Sequence, residues 1–336
     1  MERYINSYAT ENDIQIALEN GELLKPYVAY IEDADRIDWN SKEIVDYTTE
    51  YLTFNITSNG NINVPTGTTY SINGAEWENT GTTITVNSGE TIRFKGNNST
   101  YNSNTFEGST AGFEIEGNIM SLINSTDFAT LTTLESNFTF NNLFKGCTGL
   151  ASAENLILPA TTLTSFCYRC MFQNCTSLAT APKLPAMTLV ESCYSFMFDG
   201  CSSLTTAPAL PATTLANDCY SNMFQGCSSL TTAPELPATT LVDGCYKNMF
   251  GGCTSLTTAP ELPATTLTNS CYDSMFQGCT SLNYIKCLAT DISAISCINI
   301  WVYGVASTGT FVKAAGMTSW PIGMNGIPGG WTVQDA

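Results

Sequence analysis

Cys167, Cys193, Cys219, Cys245, Cys271 and Cys297 follow one another at intervals of 26 residues, and so do Cys175, Cys201, Cys227, Cys253 and Cys279. The unit between them reads C-Y-x-x-M-F-x-G-C-[ST]-S-L-T-T-A-P-x-L-P-A-T-T-L-x-x-x, and five copies begin at the first five cysteines of the first series. A variant copy precedes them around Asn141 to Leu150, and a decayed one follows, with Trp301, Val302, Tyr303 and Gly304 where Met-Phe-x-Gly stood. A single unit is too small to bury its Met, Phe and three Leu. Stacked units can do so, with like residues about 4.8 Å apart along an axis. The repeat therefore predicts a solenoid.

Residue types predict the course of each coil. Cys and Met four apart in C-Y-x-x-M-F suit one face of a short helical turn, which the Gly at position eight can end. Ser-Leu-Thr-Thr-Ala-Pro is expected to run extended, because Thr favours strands and Pro excludes the helical region from the residue before it. Leu-Pro-Ala-Thr-Thr-Leu then turns the chain back. These repeats resemble the BspA-like leucine-rich repeat family, whose units carry F-x-x-C-x-x-L near a short strand. The likeness covers residues 141–311. It implies a leucine-rich-repeat fold and a binding or adhesive role, with no catalytic residues; the Pro-Ala-Thr-Thr insertion and the doubled Cys depart from the family pattern.

Fourteen cysteines leave three readings open: free buried thiols, disulfides between ladder neighbours, or a metal site. Periodic Cys in a tight inner layer favours the first. Zinc prefers C-x-x-C pairs, whereas the main spacing here is C-x7-C, and Cys167 to Cys170 is a lone C-x-x-C. The Tyr168, Tyr194, Tyr220, Tyr246 and Tyr272 ladder is expected to be half-buried with wet hydroxyls, sugar stacking being the alternative.

Charge narrows the function classes. The 336 residues include 30 Asp or Glu, 12 Lys or Arg and no His, a net charge of −18. Phosphate-rich partners would be repelled, so nucleic-acid binding is not expected. Without His the commonest general base and metal ligand are both missing, and no enzyme and no cofactor is expected. Residues 141–336 hold only 10 acids and 6 bases, so their surface is Thr, Ser and Asn, suited to sugars or protein. No run of about 20 apolar residues occurs, so no membrane insertion is expected, and no secretory signal is legible at the N-terminus.

The fold class expected is mainly β with short helical turns, in four segments. Residues 1–48 form a small α/β docking or adaptor segment, with a helix at 10–21, a strand at 26–31 and an acidic turn at 32–35 that reads as solvated surface. Residues 49–120 form a small immunoglobulin-like β-sandwich. Its strands are expected at 51–57, 61–64, 68–72, 82–86, 91–95 and 112–116, joined by turns at Asn59-Gly60, Asn73-Gly74 and Ser88-Gly89. Ile92 and Phe94 should face inward, Arg93 and Lys95 outward, and Trp77 should pack in or beside this core. Residues 121–311 form the leucine-rich-repeat solenoid, with 121–140 as its N-cap, and 312–336 its C-terminal cap.

Constancy among copies reports packing, so variation should mark the exposed face. Candidate ligand-binding positions are therefore Gln173, Asp199, Gln225 and Gln277 in one column, and Lys183, Glu235 and Glu261 in another. Ile14, Leu18, Tyr27 and Tyr30 are candidates for docking on a larger particle. The arrangement of N-terminal block, β domain and closing segment resembles proteins of gut Bacteroides and their phages, crAss-like phages included. That resemblance implies a non-enzymatic virion structural protein, such as a head fibre, a decoration or a tail-associated protein. It would sit on the virion surface, hold a capsid or tail protein through residues 1–48 and form a homo-oligomer, with host surface polysaccharide as a further candidate partner. The alternative is a BspA-like adhesin on the bacterial cell surface.

Overall fold

The computed structural model describes residues 50–336, except 80–82 and 104, together with two short strands nearer the N-terminus. The described residues are mainly β with almost no helix. The chain divides into two compact units, 1–45 and 46–336. In the first, β1 (Ser7–Tyr8) pairs in parallel with β2 (Tyr30–Ile31). The expected strand at 26–31 is thus described only at its end, and the expected helix at 10–21 lies outside the described residues.

The second unit opens with short strands set by alternation and tight turns. These are β3 (Leu52–Ser58), β4 (Gly60–Asn63), β5 (Thr68–Ile72), β6 (Glu78–Asn79), β7 (Thr83–Val86), β8 (Thr91–Gly96), β9 (Gly112–Asn118) and β10 (Leu150–Ile157). One six-stranded sheet runs β10-β9-β3-β8-β5-β6, and β4 pairs with β7 in a separate two-stranded sheet. Ile92 and Phe94 are fully buried while Arg93 is exposed, as a half-buried strand requires. Asn73 and Gly74 take φ of 51° and 75°, the left-handed pair that a tight hairpin needs. Trp77 is half-buried, edge-on to Tyr51 at 5.0 Å, with the Lys95 ammonium 4.0 Å above its ring. The last link, β9 with β10, is parallel, and Ser152 of β10 bridges Thr180 of the first full repeat. The small sheet thereby becomes the first rung of the repeat array.

The C-Y-x-x-M-F segments are not helical, which corrects the sequence expectation. Each is a run of overlapping turns in which alternate residues bond differently. In residues 192–201, the N–H groups of Cys193, Ser195, Met197, Asp199 and Cys201 donate to the carbonyl three residues back. Those of Ser192, Tyr194, Phe196, Phe198 and Gly200 donate instead to Asn217, Cys219, Ser221, Met223 and Gln225 in the next coil, at 2.7–3.1 Å. The same alternation recurs in each coil from residue 140 to 279, so neighbouring N–H groups in these segments pair alternately within the coil and with the next one. A helix cannot propagate here, because every fourth residue has positive φ. In three coils these are Asp218, Asn222, Gly226; Gly244, Asn248, Gly252; and Ser270, Ser274, Gly278. Asx, Ser and Gly tolerate that conformation, and Gly does so at no steric cost. Elsewhere in the coil the stack is tied by isolated parallel bridges, such as Thr206 to Thr232 and Thr188 to Thr214. Pro, lacking an N–H, interrupts longer ladders.

Inside, like stacks on like. Tyr168, Tyr194, Tyr220, Tyr246 and Tyr272 lie 5.7–6.2 Å apart ring to ring and are at most 2% exposed, which corrects the expectation of wet hydroxyls. Phe140 and Tyr101 extend this column at one end, and Trp301 and Trp320 at the other. A second column runs Phe106, Phe144, Phe172, Phe198, Phe224, Phe250 and Phe276 and also ends on Trp301. Phe106 packs on Phe54 and Phe94 of the small sheet, so sheet and repeats share one core.

Every inter-coil N–H in the turn ladder points toward the C-terminal end, which leaves carbonyls at the first coil and donors at the last. Both ends are closed. Tyr101 and Phe106 donate their N–H groups to the carbonyls of Thr139 and Leu143 in the first coil, at 2.8 and 2.9 Å. At the far end Asn325 Oδ1 accepts the Ile300 N–H at 2.6 Å, and the Met324 carbonyl accepts that of Val302. A parallel sheet of β11 (Tyr284–Cys287), β12 (Thr310–Lys313) and β13 (Thr332–Asp335) finishes this end.

Candidate functional site

All fourteen cysteines are free and buried. In the second series each Sγ–H donates to a Phe carbonyl of the preceding coil: Cys175 to Phe144, Cys201 to Phe172, Cys227 to Phe198, Cys253 to Phe224 and Cys279 to Phe250, at 2.9–3.2 Å. Burial pushes the Cys167, Cys279 and Cys287 thiols up to about 12, and holds Cys201, Cys227 and Cys253 well above the usual thiol range. A thiol kept neutral and out of water is a poor nucleophile. Among the described residues no group of three or more His, Cys, Asp or Glu could hold a metal ion. No helix among them is long and apolar enough to cross a membrane.

The constant residues thus face one another, and what faces water varies or is hydroxylated. Thr205, Thr206, Thr231, Thr232, Thr257 and Thr258 are exposed along one wall, and Thr213, Thr214, Thr239, Thr240, Thr265 and Thr266 along another. Their repetition every 26 residues gives neutral walls with regularly spaced hydroxyls.

Gln173, Asp199, Gln225 and Gln277 are half-exposed in one column on the turn side. Gln173 Nε2 donates to Asp199 Oδ2 at 2.7 Å. Partial burial raises the Asp199 carboxyl, an effect opposed by that hydrogen bond and by Lys145. Lys183, Glu235 and Glu261 are exposed in a second column, where Lys286 Nζ donates to Glu261 at 2.9 Å. No hydrogen bond or ion pair among the described residues joins the two columns, so they form two separate strips. Ile14, Leu18 and Tyr27 lie outside the described residues, and Tyr30 is described only as backbone in β2.

Variation between copies also placed aromatic rings where the turn ladder least favours them. Phe138, Phe166 and Phe196 have φ of 62°, 60° and 58°, where the coils that follow carry Ser192, Asp218, Gly244 and Ser270 at the Phe166 position and Asn222, Asn248 and Ser274 at the Phe196 position. Phe138 and Phe166 are half-buried and stack at 4.8 Å, and the Arg169 guanidinium lies 5.6 Å from the Phe196 ring. The signal was available in the sequence, as Phe at the residue before Cys167, where later copies have Ser, Asp or Gly. No protein-family model, curated protein or solved structure matches this chain.

Proposed function

We propose that this chain is a non-enzymatic structural protein of a phage virion, a head fibre, capsid decoration or tail-associated protein displayed on the particle surface. Residues 1–48 dock on a capsid or tail protein. The small sheets form an immunoglobulin-like domain, the repeats form a leucine-rich-repeat solenoid, and copies assemble as a homo-oligomer. The displayed surface meets host surface polysaccharide.

One observation carries this reading: the constant Cys, Tyr, Met, Phe and Leu side chains of the repeats are buried against their own copies in neighbouring coils, while the outward residues are hydroxylated or variable. Such a surface supplies many weak contacts and no nucleophile paired with a base. The separation of residues 1–45 as their own compact unit supports an independent attachment element.

Deleting residues 1–48 tests the docking half. Particles produced with the truncated chain are expected to lack it, while purified 49–336 keeps the circular dichroism and cooperative melting of the full-length protein. Incorporation at the full-length level would remove the docking role.

A further inference from the structure

A cleft of about 270 Å³ lies where three separate stretches of chain meet beside the first coil. Asn97, Asn98 and Ser99 follow β8, Ile123 and Asn124 follow the 3-10 turn Ile119–Leu122, and residues 131–139 lead into the stack. Its rim is made of amides and hydroxyls with one carboxylate, Glu135, and with Ile123 and Leu131 as the apolar surface. No Lys or Arg lines it.

Two of these side chains are already held in place. Asn97 Oδ1 accepts the Ser125 N–H at 3.0 Å, and Asn124 Oδ1 accepts the N–H groups of Thr126 and Asp127 at 3.1 and 2.9 Å. Those bonds fix both amide planes and leave both Nδ2 groups without a partner among the described residues. The Ser99 hydroxyl and the Glu135 carboxylate likewise take part in no hydrogen bond or ion pair there. Phe138, between the lining residues Ser136 and Thr139, is the half-buried ring held at positive φ and stacked on Phe166.

We propose that this cleft is the glycan subsite of the molecule and takes one neutral sugar ring; the proposal rests on the polysaccharide-binding half of the reading above. Asn97 and Asn124 Nδ2 donate to ring hydroxyls, and Glu135 accepts from a hydroxyl. The apolar C–H face of the sugar lies on Ile123 and Leu131. An anionic sugar or a phosphate would meet Glu135 with no cation to balance it. The volume sits just below the roughly 300–1,000 Å³ of ordinary small-molecule sites, which favours a single ring over a buried chain.

The test uses the full-length protein on an array of neutral bacterial polysaccharides, with free glucose, galactose, mannose and N-acetylglucosamine as probes in saturation-transfer NMR. Glu135→Gln and Asn124→Asp, the latter keeping the turn-capping oxygen, should each weaken binding about ten- to hundredfold. Thr133→Trp, at an exposed position of the lining, should abolish it by filling the space, and melting of all three variants should match the parent. Glu154→Gln, at an exposed position of β10 outside the cleft, should bind normally. Wild-type binding in the three cleft variants would overturn the assignment and move the glycan contact to the outer walls, leaving the broader reading intact. A blank array with no saturation transfer would also overturn it, while docking on the particle is judged independently by the truncation.

Discussion

Raised above pH 9 in reducing buffer, the protein is expected to unfold cooperatively, with a midpoint of about pH 10. Burial pushes the Cys147, Cys167, Cys271, Cys279 and Cys287 thiols up to about 12 and holds seven more, Cys175, Cys193, Cys201, Cys219, Cys227, Cys245 and Cys253, well above the ordinary thiol value of 9.0. Their folded-state values are raised, so the stability they confer is fully present below pH 9 and is lost as pH climbs toward the folded value. At pH 10 an unfolded thiol gains about 1.4 kcal/mol by ionising, which its folded counterpart cannot do. The five that reach about 12 together amount to about 7 kcal/mol, and the other seven act in the same direction, against the roughly 5–15 kcal/mol that holds a typical domain. The buried Tyr168, Tyr194 and Tyr272 phenols, also raised by burial, push the same way above pH 10. Tryptophan fluorescence and thiolate absorbance recorded together should change in one step. Thiolate absorbance rising gradually from about pH 8.5 with fluorescence unchanged would mean the thiols meet water in the native state.

Trp301→Ala should have the largest effect of any single substitution. The indole is fully buried where both aromatic columns end, within 6.2 Å of the rings of Tyr272, Phe276, Phe311 and Trp320. Its Nε1–H donates to the Gly326 carbonyl at 2.9 Å and so ties the cap to the last coil. Truncating a buried aromatic costs about 3–5 kcal/mol, and an abandoned buried acceptor adds about 1–3 kcal/mol. A repeat couples only to its neighbours, so the loss should be local. Hydrogen exchange should show residues 270–336 losing protection while 50–200 keep theirs. Uniform loss along the chain, or none, would contradict an array that is closed at this end by Trp301.

The mainly β character was legible in the sequence, because strands declare themselves by alternation. The strand expected at 68–72 is β5, the one expected at 82–86 is described from Thr83 onward as β7, and the one expected at 91–95 stops one residue short of the end of β8. The turn ladder was misread for a physical reason. Cys and Met four apart suit a helical face, yet Asx, Ser or Gly also recurs every fourth residue, as at Asp218, Asn222 and Gly226, and that rhythm marks left-handed positions. The Tyr column was expected to be wet because a phenol carries a polar end. Stacked coils offer no water at that depth, and the Tyr168 hydroxyl is buried with no hydrogen-bond partner. The pairs Lys95 with Trp77 and Gln173 with Asp199 join residues 18 and 26 apart, and only the second is implied by the repeat period. The cleft was not legible at all, since Asn97, Asn124 and Glu135 meet only through tertiary folding, with no period or motif to link them.

Counting reactive thiols tests the central claim most directly: that the constant Cys, Tyr, Met, Phe and Leu of the repeats point inward at their own copies. With a water-soluble disulfide reagent at neutral pH and no reductant, the native protein should react at no more than two positions, Cys170 and Cys297, whose burial is the least complete. After denaturation all 14 should react at once. Rapid labelling of five or six thiols in the native state would place a whole cysteine ladder on the surface and contradict the account.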